Sequence, residues 1–409
     1  MNAPHPLEVA DVLRSYGAEY LASNGRSVSG GQLRILKDLP RCRTAALGGH
    51  TMACDRCGHQ EVAYNSCRNR HCPKCQARAR AEWLEARAAD LLDVEYFHVV
   101  LTLPTEIAPL AIQNRRLLYG MLFRSAAETL LTIARDPKHL GAHIGFLAVL
   151  HTWSQALHHH PHLHCVVPGG GVSLDGDRWV SCRSGFFLPV RVLSRLFRGK
   201  FLAALNLAYR QQELSLAGEL EPMRELEAWK RFIEALRRTE WVVYSKPPFG
   251  GPEQVLKYLA RYTHRVAISN QRLVDLRDDQ VTFRVKDRAR GNRKRTITVS
   301  AAEFVRRFLL HTLPKGFVRI RHYGFLANCV RQQRLTLARK LLDELDVHDH
   351  RTGMPSERRS NVASSADRSN LRCPACKKGR MIIVETLDPP RMAPIAHNRS
   401  PPEFALGSV

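Results

Sequence analysis

The chain has 409 residues, of which 62 are Lys or Arg and 38 are Asp or Glu, so its formal net charge is +24. A chain of this length buries a sizeable core and is predicted to hold more than one domain. The charge indicates a polyanionic partner, and nucleic acid is the commonest one. A membrane partner is not expected, because no run approaches the ~20 apolar residues of a spanning helix. The N-terminus also lacks the basic-then-apolar order of a signal peptide, which predicts a soluble cytoplasmic protein.

Residues 6–40 carry apolar positions at helical spacing, broken by Ser-Gly-Gly at 29–31, which predicts two or three short helices. They are expected either to pack against the next domain or to form a small DNA-contacting unit.

Two C-x-x-C pairs follow, Cys54 with Cys57 and Cys72 with Cys75. In a reducing compartment such pairs favour metal thiolates over disulfides, and their separation suits a zinc ribbon or treble clef. A structural Zn²⁺ held by these four thiolates is therefore predicted. The pattern does not assign a role to Cys67, His59 or His71. One of them could replace one of the four cysteines as a ligand or belong to a second site, and the alternative is a surface or supporting role.

The middle of the chain alternates buried strands with helices. Residues 96–103 and 145–150 have the apolar, β-branched character of buried strands, and an amphipathic helix is expected over 110–134. The stretch HHHPHLHCVVPGGG at 158–171 is predicted to be another strand, antiparallel to the one before it. His162 and His164 then point to the same face of the strand. Two imidazoles placed in this way can bind one divalent ion, and the alternative is a buried structural pair.

Residues 172–190 resemble a β-hairpin, helices are predicted over 188–216 and 221–238, and a short strand over 241–244. The next predicted helix, 253–263, carries Tyr258 and Tyr262 four residues apart, so both hydroxyls project from one face. Such a pair is usually half-buried packing, but together with the histidine strand it suggests chemistry.

Beyond the tyrosine helix lies the most basic part of the chain, predicted as a hairpin with cations at its tip. A second basic segment, 314–328, has strand periodicity with a cationic, aromatic face. A solvated surface is the plain alternative, but on so basic a chain phosphate contact is favoured. The predicted DNA-contacting residues are Arg284, Lys286, Arg288, Arg290, Arg293, Lys294, Arg295, Arg319 and Arg321.

A last helix is predicted over 331–345, followed by a polar linker, and the final residues are Pro-rich and expected to be disordered. Between them stands Cys373-Pro-Ala-Cys376, half of a zinc knuckle with no second pair in the tail. The pattern leaves open a ligand from elsewhere or an incomplete site.

The histidine strand, the tyrosine pair, the zinc motif and the positive charge fit metal-assisted cleavage of single-stranded DNA by a tyrosine nucleophile. A cation on the histidines would offset charge on the scissile phosphate while a tyrosine hydroxyl attacks. Mg²⁺ or Mn²⁺ is expected as the working ion.

Four motifs closely resemble those of rolling-circle transposases of the IS91 type, two-tyrosine members of the HUH endonuclease superfamily: HHHPHLHCVVPGGG, YLARYTHRVAISN, CDRCGHQEVAYNSCRNRHCPKCQ and RIRHYGFLAN. The resemblance runs from about residue 10 to 345. It implies an α+β fold, an HUH endonuclease-like core with a central antiparallel sheet flanked by helices and preceded by an N-terminal zinc-binding domain. The predicted segments are 1–48 helical, 49–80 zinc-binding, 81–345 catalytic, and 346–409 a largely disordered tail with the CPAC knuckle.

The same resemblance implies the residue roles: His162 and His164 bind the metal, and Tyr258 and Tyr262 are the nucleophiles. Gln155 is the candidate third ligand, with polar supporting roles for His98 and His160. The implied activity is nicking of a single-stranded transposon end, a 5′-phosphotyrosine link, strand displacement by the host replication machinery, and rejoining at a target. The expected location is the bacterial cytoplasm, in association with the nucleoid.

Two other functions remain open from the sequence. One is a zinc-dependent DNA-binding protein without catalysis, or an inactive transposase remnant. The other, a zinc-dependent hydrolase, is weaker because the chain has no H-E-x-x-H motif and no acidic general base near the histidines.

Overall fold

The computed structural model describes residues 6–246, 267–287, 291, 293–349 and 372–390, without the side chains of 77–80, 246, 287 and 346–349. The chain divides into two units, the larger of Met1–Pro40 with Arg68–Ala366 and the smaller of Arg41–Cys67 with Asp367–Val409.

The described residues form the following α-helices and β-strands, numbered in chain order. They are α1 Val9–Asn24, α2 Gly30–Arg41, β1 Gly49–Cys54, β2 Gln60–Tyr64, α3 Pro73–Ala88, β3 Tyr96–Thr102, α4 Ala108–Gln113, α5 Arg115–Arg135, β4 Ala142–His143, β5 Gly145–Trp153, β6 His159–Pro168, β7 Gly170–Ser173, β8 Trp179–Ser181, α6 Val190–Arg210, α7 Leu226–Arg238, β9 Val243–Lys246, β10 Leu273–Arg277, β11 Gln280–Asp287, β12 Arg293–Ser300, α8 Ala301–Leu310, β13 Ile320–Gly324, α9 Arg331–Asp349 and β14 Met381–Leu387.

The centre of the larger unit is a five-stranded antiparallel sheet with the order β13-β5-β6-β3-β9. Strands β5 and β6 are buried along nearly their whole length, which explains their almost continuous apolar sequences. Because side chains alternate between faces, Leu163 and Cys165 face the main core while His162 and His164 face the other side. The sheet thus holds the histidines on a rigid support.

Helices α5 and α6 cover the core face of this sheet. Helix α5 is the one described helix long and apolar enough to cross a membrane, but 67% of that apolar window is buried inside the protein. Its Leu122 and Leu130 and the α6 residues Phe197 and Phe201 are fully buried in the same core as the strands. The apolar character of α5 is therefore explained by packing.

The histidine face also carries a second, smaller cluster. Tyr96, Leu147, Val149 and Val166 pack there against Trp83 of α3. This cluster fills the half of the face away from the histidines, so the imidazoles lie at the edge of an apolar layer.

Strands β10, β11 and β12 form a separate antiparallel sheet that packs on α8. Phe283 meets Phe304 edge to face at 5.7 Å. Helix α8 begins with a side-chain cap, in which the backbone N–H of Glu303 donates to Ser300 Oγ at 3.3 Å.

In the smaller unit, β14, β1 and β2 form a three-stranded antiparallel sheet with β1 in the middle. The tail predicted to be largely disordered therefore contributes an ordered segment, residues 372–390, which carries the CPAC pair. Backbone pairing with β1 explains this: the edge of β1 supplies hydrogen bonds that the tail sequence cannot make alone.

Candidate metal centre and nucleic-acid interface

Three histidines meet at the end of the β5–β6 pair. In the register of the two strands His151 lies opposite His162, and Val149 lies opposite His164, so all three imidazoles share one face. Their ligand nitrogens lie within 4.8 Å of one another. His151 and His164 are buried and His162 is partly exposed, so the cluster opens towards solvent on one side.

A hydrogen bond fixes the tautomer of His162. Its Nδ1 lies 2.7 Å from the carbonyl oxygen of His160, and a carbonyl only accepts, so Nδ1 carries the proton. Nε2 of His162 then has a lone pair to offer a cation. Neutral imidazoles with an open side fit a divalent ion that also binds a substrate oxygen.

His98 supports His164 from the neighbouring strand β3. Its Nε2 lies 2.7 Å from His164 Nδ1, and the two rings are stacked. Burial lowers the pKa of His98 to about 4, so this ring is neutral at pH 7 and can accept a hydrogen bond. That contact would fix the proton of His164 on Nδ1 and direct its Nε2 to the ion.

Replacing His98 by Ala is expected to weaken divalent-metal binding by about 10- to 100-fold, because His164 loses the partner that sets its tautomer. His98→Gln, which keeps an acceptor, is expected to recover part of the affinity. Mn²⁺ titration of the purified variants measures both effects. Equal affinities for His98→Ala and the unsubstituted protein would show that His98 has no such role.

The structure brings His151 to the predicted pair and places Gln155 in the turn that follows strand β5. Gln155 is exposed in the turn between β5 and β6, where its backbone carbonyl accepts a hydrogen bond from Arg272. Proximity in sequence favoured Gln155, whereas strand register places His151 beside His162. The sequence feature that could have indicated His151 is its position as a polar residue near the end of an otherwise apolar strand.

The predicted nucleophiles Tyr258 and Tyr262 lie outside the described residues, as do Arg288 and Arg290. The remaining predicted basic residues divide into two groups with different surroundings.

The first group lies on the β11–β12 hairpin, called here the cationic hairpin. Its register puts Lys286 directly opposite Lys294 and Arg284 opposite Thr296. Val281, Phe283 and Val285 alternate with these residues and are buried, which fixes the hairpin and leaves the cations exposed. Like charges directly opposite each other repel, so this arrangement suits a surface that receives a polyanion. The described cations of the hairpin are Arg284, Lys286, Arg293, Lys294 and Arg295.

The second group, Arg319 and Arg321, is not on an exposed face. Burial lowers the pKa of Arg319 to about 10, and the guanidinium of Arg321 stacks on the ring of Phe123 at 4.2 Å. Arg321 also donates to the carbonyl of Val318 at 3.2 Å. Strand periodicity was predicted over 314–328, and the strand forms only over Ile320–Gly324, which leaves Arg319 outside it. The face that carries Arg321 points into the larger unit, so the expected stacking surface for bases is absent from that face.

The four cysteines predicted to share one zinc ion are not brought together. Cys54 and Cys57 lie in the smaller unit with Cys373 and Cys376, and their ligand atoms are within 4.8 Å of one another. Cys72 and Cys75 lie at the start of α3 in the larger unit. The unassigned His71 is buried, and its Nδ1 contacts Asn69 Oδ1 at 3.2 Å, so it has a structural role.

Two family models match the chain. Residues 145–334 match the family described as "Putative transposase", and residues 12–103 match the family described as "Transposase zinc-binding domain". The first of these ranges contains the β5 and β6 histidines and the cationic hairpin.

Two curated proteins are similar over most of their length. One is "Putative transposase y4qJ" of Sinorhizobium fredii (strain NBRC 101917 / NGR234), 56% identical over 94% of this chain and 97% of that protein. The other is "Transposase for insertion sequence element IS801" of Pseudomonas savastanoi pv. phaseolicola, 29% identical over 81% of this chain and 78% of that protein. No solved structure matches the chain.

These matches identify a DNA transposase with a zinc-binding domain. Within that class, the chain belongs to the IS91-type transposase family, as its motifs indicated.

Proposed function

We propose that this transposase nicks single-stranded DNA at the ends of its element and rejoins it at a target through a 5′-phosphotyrosine link, as a rolling-circle enzyme with an HUH-type core. The observation that carries this proposal is the cluster of His151, His162 and His164 on one face of the central sheet. Clustered imidazoles on a rigid sheet can hold the metal ion that the proposed phosphoryl transfer uses.

The reaction assigns the nucleophile role to Tyr258 and Tyr262. One hydroxyl attacks the scissile phosphorus: a bond forms between tyrosine oxygen and phosphorus, the bond to the 3′ oxygen breaks, and that oxygen leaves as a 3′-OH carrying the proton. The phosphodiester is exchanged for a phosphotyrosine ester, so a free 3′-OH can later reverse the step without ATP. Two tyrosines at i and i+4 allow one strand to be held while another is cut.

The three imidazoles would hold the divalent ion. When bound, the ion supplies Lewis-acid stabilisation of charge on a non-bridging phosphate oxygen. A set of nitrogen donors suits Mn²⁺ better than the harder Mg²⁺, whose preferred ligands are oxygens. Mn²⁺ is therefore the favoured ion of the two.

The cationic hairpin would bind the DNA backbone. Its exposed Arg284, Lys286 and Lys294 make sequence-independent contacts to phosphates and would bring single-stranded transposon ends to the histidine face. Strand displacement would be left to the host replication machinery, which places the enzyme at the bacterial nucleoid.

The proposal is tested by incubating the protein with labelled single-stranded DNA of the element's ends and Mn²⁺. A covalent, protease-sensitive adduct is expected, and chelation of the ion is expected to prevent it. Tyr258→Phe/Tyr262→Phe should form no adduct because both hydroxyls are lost.

Tyr244→Phe is the matched control. Tyr244 lies on strand β9 opposite Val100, which is itself opposite His164, so this tyrosine shares the histidine face of the sheet and tests for a competing nucleophile. Normal adduct formation by Tyr244→Phe is expected. DNA binding without any adduct would instead support a DNA-binding protein without catalysis, and an adduct that persists in the double variant would refute the nucleophile assignment.

A further inference from the structure

We infer that two distant segments of the chain form a single zinc site in the smaller unit. Cys54 and Cys57 contribute one half of the site, and Cys373 and Cys376 contribute the other. The two halves are more than 300 residues apart in sequence. The matched zinc-binding family covers residues 12–103 and so contains only the first half.

The distances between the sulfurs fit tetrahedral zinc. Cys54 Sγ lies 3.7 Å from Cys376 Sγ, and Cys57 Sγ lies 3.7 Å from Cys373 Sγ. Four sulfurs at ~2.3 Å from a Zn²⁺ ion stand about 3.8 Å apart along each edge of the tetrahedron. The same separations are far longer than the ~2.05 Å of a disulfide bond.

The two C-x-x-C turns have similar backbone hydrogen bonds. In the first, Cys54 N–H donates to His59 O at 2.9 Å and Gly58 N–H donates to Cys54 O at 3.1 Å. In the second, Cys373 N–H donates to Gly379 O at 2.8 Å and Lys377 N–H donates to Cys373 O at 2.9 Å. A residue with positive φ directly follows the second cysteine in each, Gly58 at 70° and Lys377 at 58°. This repetition makes two equivalent zinc knuckles facing each other.

Backbone N–H groups point at one sulfur in each C-x-x-C turn. Arg56 N–H approaches Cys54 Sγ at 3.4 Å, and Gly379 N–H approaches Cys376 Sγ at 3.3 Å. Thiolate is the form that binds zinc.

Hydrogen bonds also join the residues next to the two knuckles. Asp55 N–H donates to Arg380 O at 3.0 Å, and Arg380 N–H donates to Asp55 Oδ1 at 2.7 Å. Gly379 sits so close to Cys54 that an added Cβ would overlap its Sγ. Strand β14 then continues from the second knuckle and pairs with β1 from Cys54↔Met381 to Gly49↔Leu387. Zinc at this site would therefore hold the C-terminal segment in the fold of the smaller unit.

The test compares the zinc content of the full-length protein with that of Cys373→Ser/Cys376→Ser by elemental mass spectrometry. The variant is expected to lose about one zinc per chain, because two thiolates do not hold a structural ion. Hydrogen exchange should rise in β1 and in residues 381–387. Cys329→Ser, which removes an exposed cysteine elsewhere, should keep both zinc and protection.

General unfolding is recognised separately, since all five tryptophans lie in the larger unit and report its unfolding transition by fluorescence. A second variant, Gly379→Ala, keeps every thiol but crowds Cys54, and is expected to lose zinc to a chelator at least about 10-fold faster. Gly25→Ala is its control because nothing lies within 4 Å of the added Cβ. Unchanged zinc content in Cys373→Ser/Cys376→Ser, as expected if Cys72 and Cys75 completed the site, would overturn the inference.

Discussion

His151→Ala is expected to lower DNA nicking at limiting Mn²⁺ by at least about 100-fold. Removing one of three imidazoles leaves two ligands, and loss of a direct ligand should exceed the 10- to 100-fold cost of losing a supporting hydrogen bond. The measurement is the rate of covalent adduct formation as a function of Mn²⁺ concentration. The lost activity should return in part at high Mn²⁺, because the variant is expected to be defective in ion binding.

Gln155→Ala is the matched comparison for this prediction. Gln155 is exposed in the β5–β6 turn, and its contact to Arg272 uses the backbone, so the substitution leaves that contact in place. Its Mn²⁺ dependence should equal that of the unsubstituted protein. A large defect in Gln155→Ala together with a mild one in His151→Ala would reverse the assignment.

His151→Asp separates the ligand role from packing. His151 is buried and stacks on Trp153 at 4.3 Å, so His151→Ala also removes packing. Aspartate supplies an oxygen ligand of similar reach, which should restore activity in part and shift the preference towards Mg²⁺. Rescue by Asp with no change in metal preference would count against direct ligation by residue 151.

The sequence predicts only those histidines of the candidate metal site that lie on a single strand. Alternation along 162–164 places two histidines on one face without knowledge of any neighbour. The third position depends on how β5 pairs with β6, and a shift of one residue would have turned His151 to the other face. His98 was expected in a supporting role, and the structure gives it the corresponding contact with His164.

In the rest of the fold, too, the sequence predicts contacts between neighbouring segments and misses those between distant segments. The β11–β12 hairpin was predictable because its strands and turn are contiguous. The closure of the smaller unit by β14 was not, because it joins segments more than 300 residues apart. For Arg321, periodicity assigned a face correctly but not its environment, since the packing of Phe123 and Phe317 over that face is a tertiary property.

Acidification is expected to destabilise the larger unit through two buried histidines, His159 and His311. Burial lowers the pKa of each to about 3, with further contributions from Arg115 and from the neighbouring histidines. His311 donates from Nε2 to Leu157 O at 3.1 Å, and its Nδ1 lies 3.2 Å from Thr152 Oγ1, which suits the neutral ring. His159 Nε2 lies 2.8 Å from the hydroxyl of Tyr119.

The direction in which the unfolding free energy changes with pH depends on which state binds the protons. Above the unfolded pKa of about 6.5 neither state is protonated, so the two rings do not make stability depend on pH. Between about 6.5 and the folded value of about 3, only the unfolded chain binds these protons, and each ring lowers the unfolding free energy by about 1.4 kcal/mol per pH unit. From pH 7 to pH 5 the two together should remove about 4 kcal/mol. Denaturant titrations followed by tryptophan fluorescence measure this in the larger unit.

His311→Gln isolates one of the two contributions, because its amide can donate to Leu157 O and accept from Thr152 but does not titrate. The variant should be no more stable than the unsubstituted protein at pH 7, yet its stability should fall less steeply on acidification, by about 1.4 kcal/mol per pH unit. The two stability curves therefore converge as the pH falls. Parallel curves would show that the proton uptake belongs to other groups and that His311 is already protonated in the folded protein.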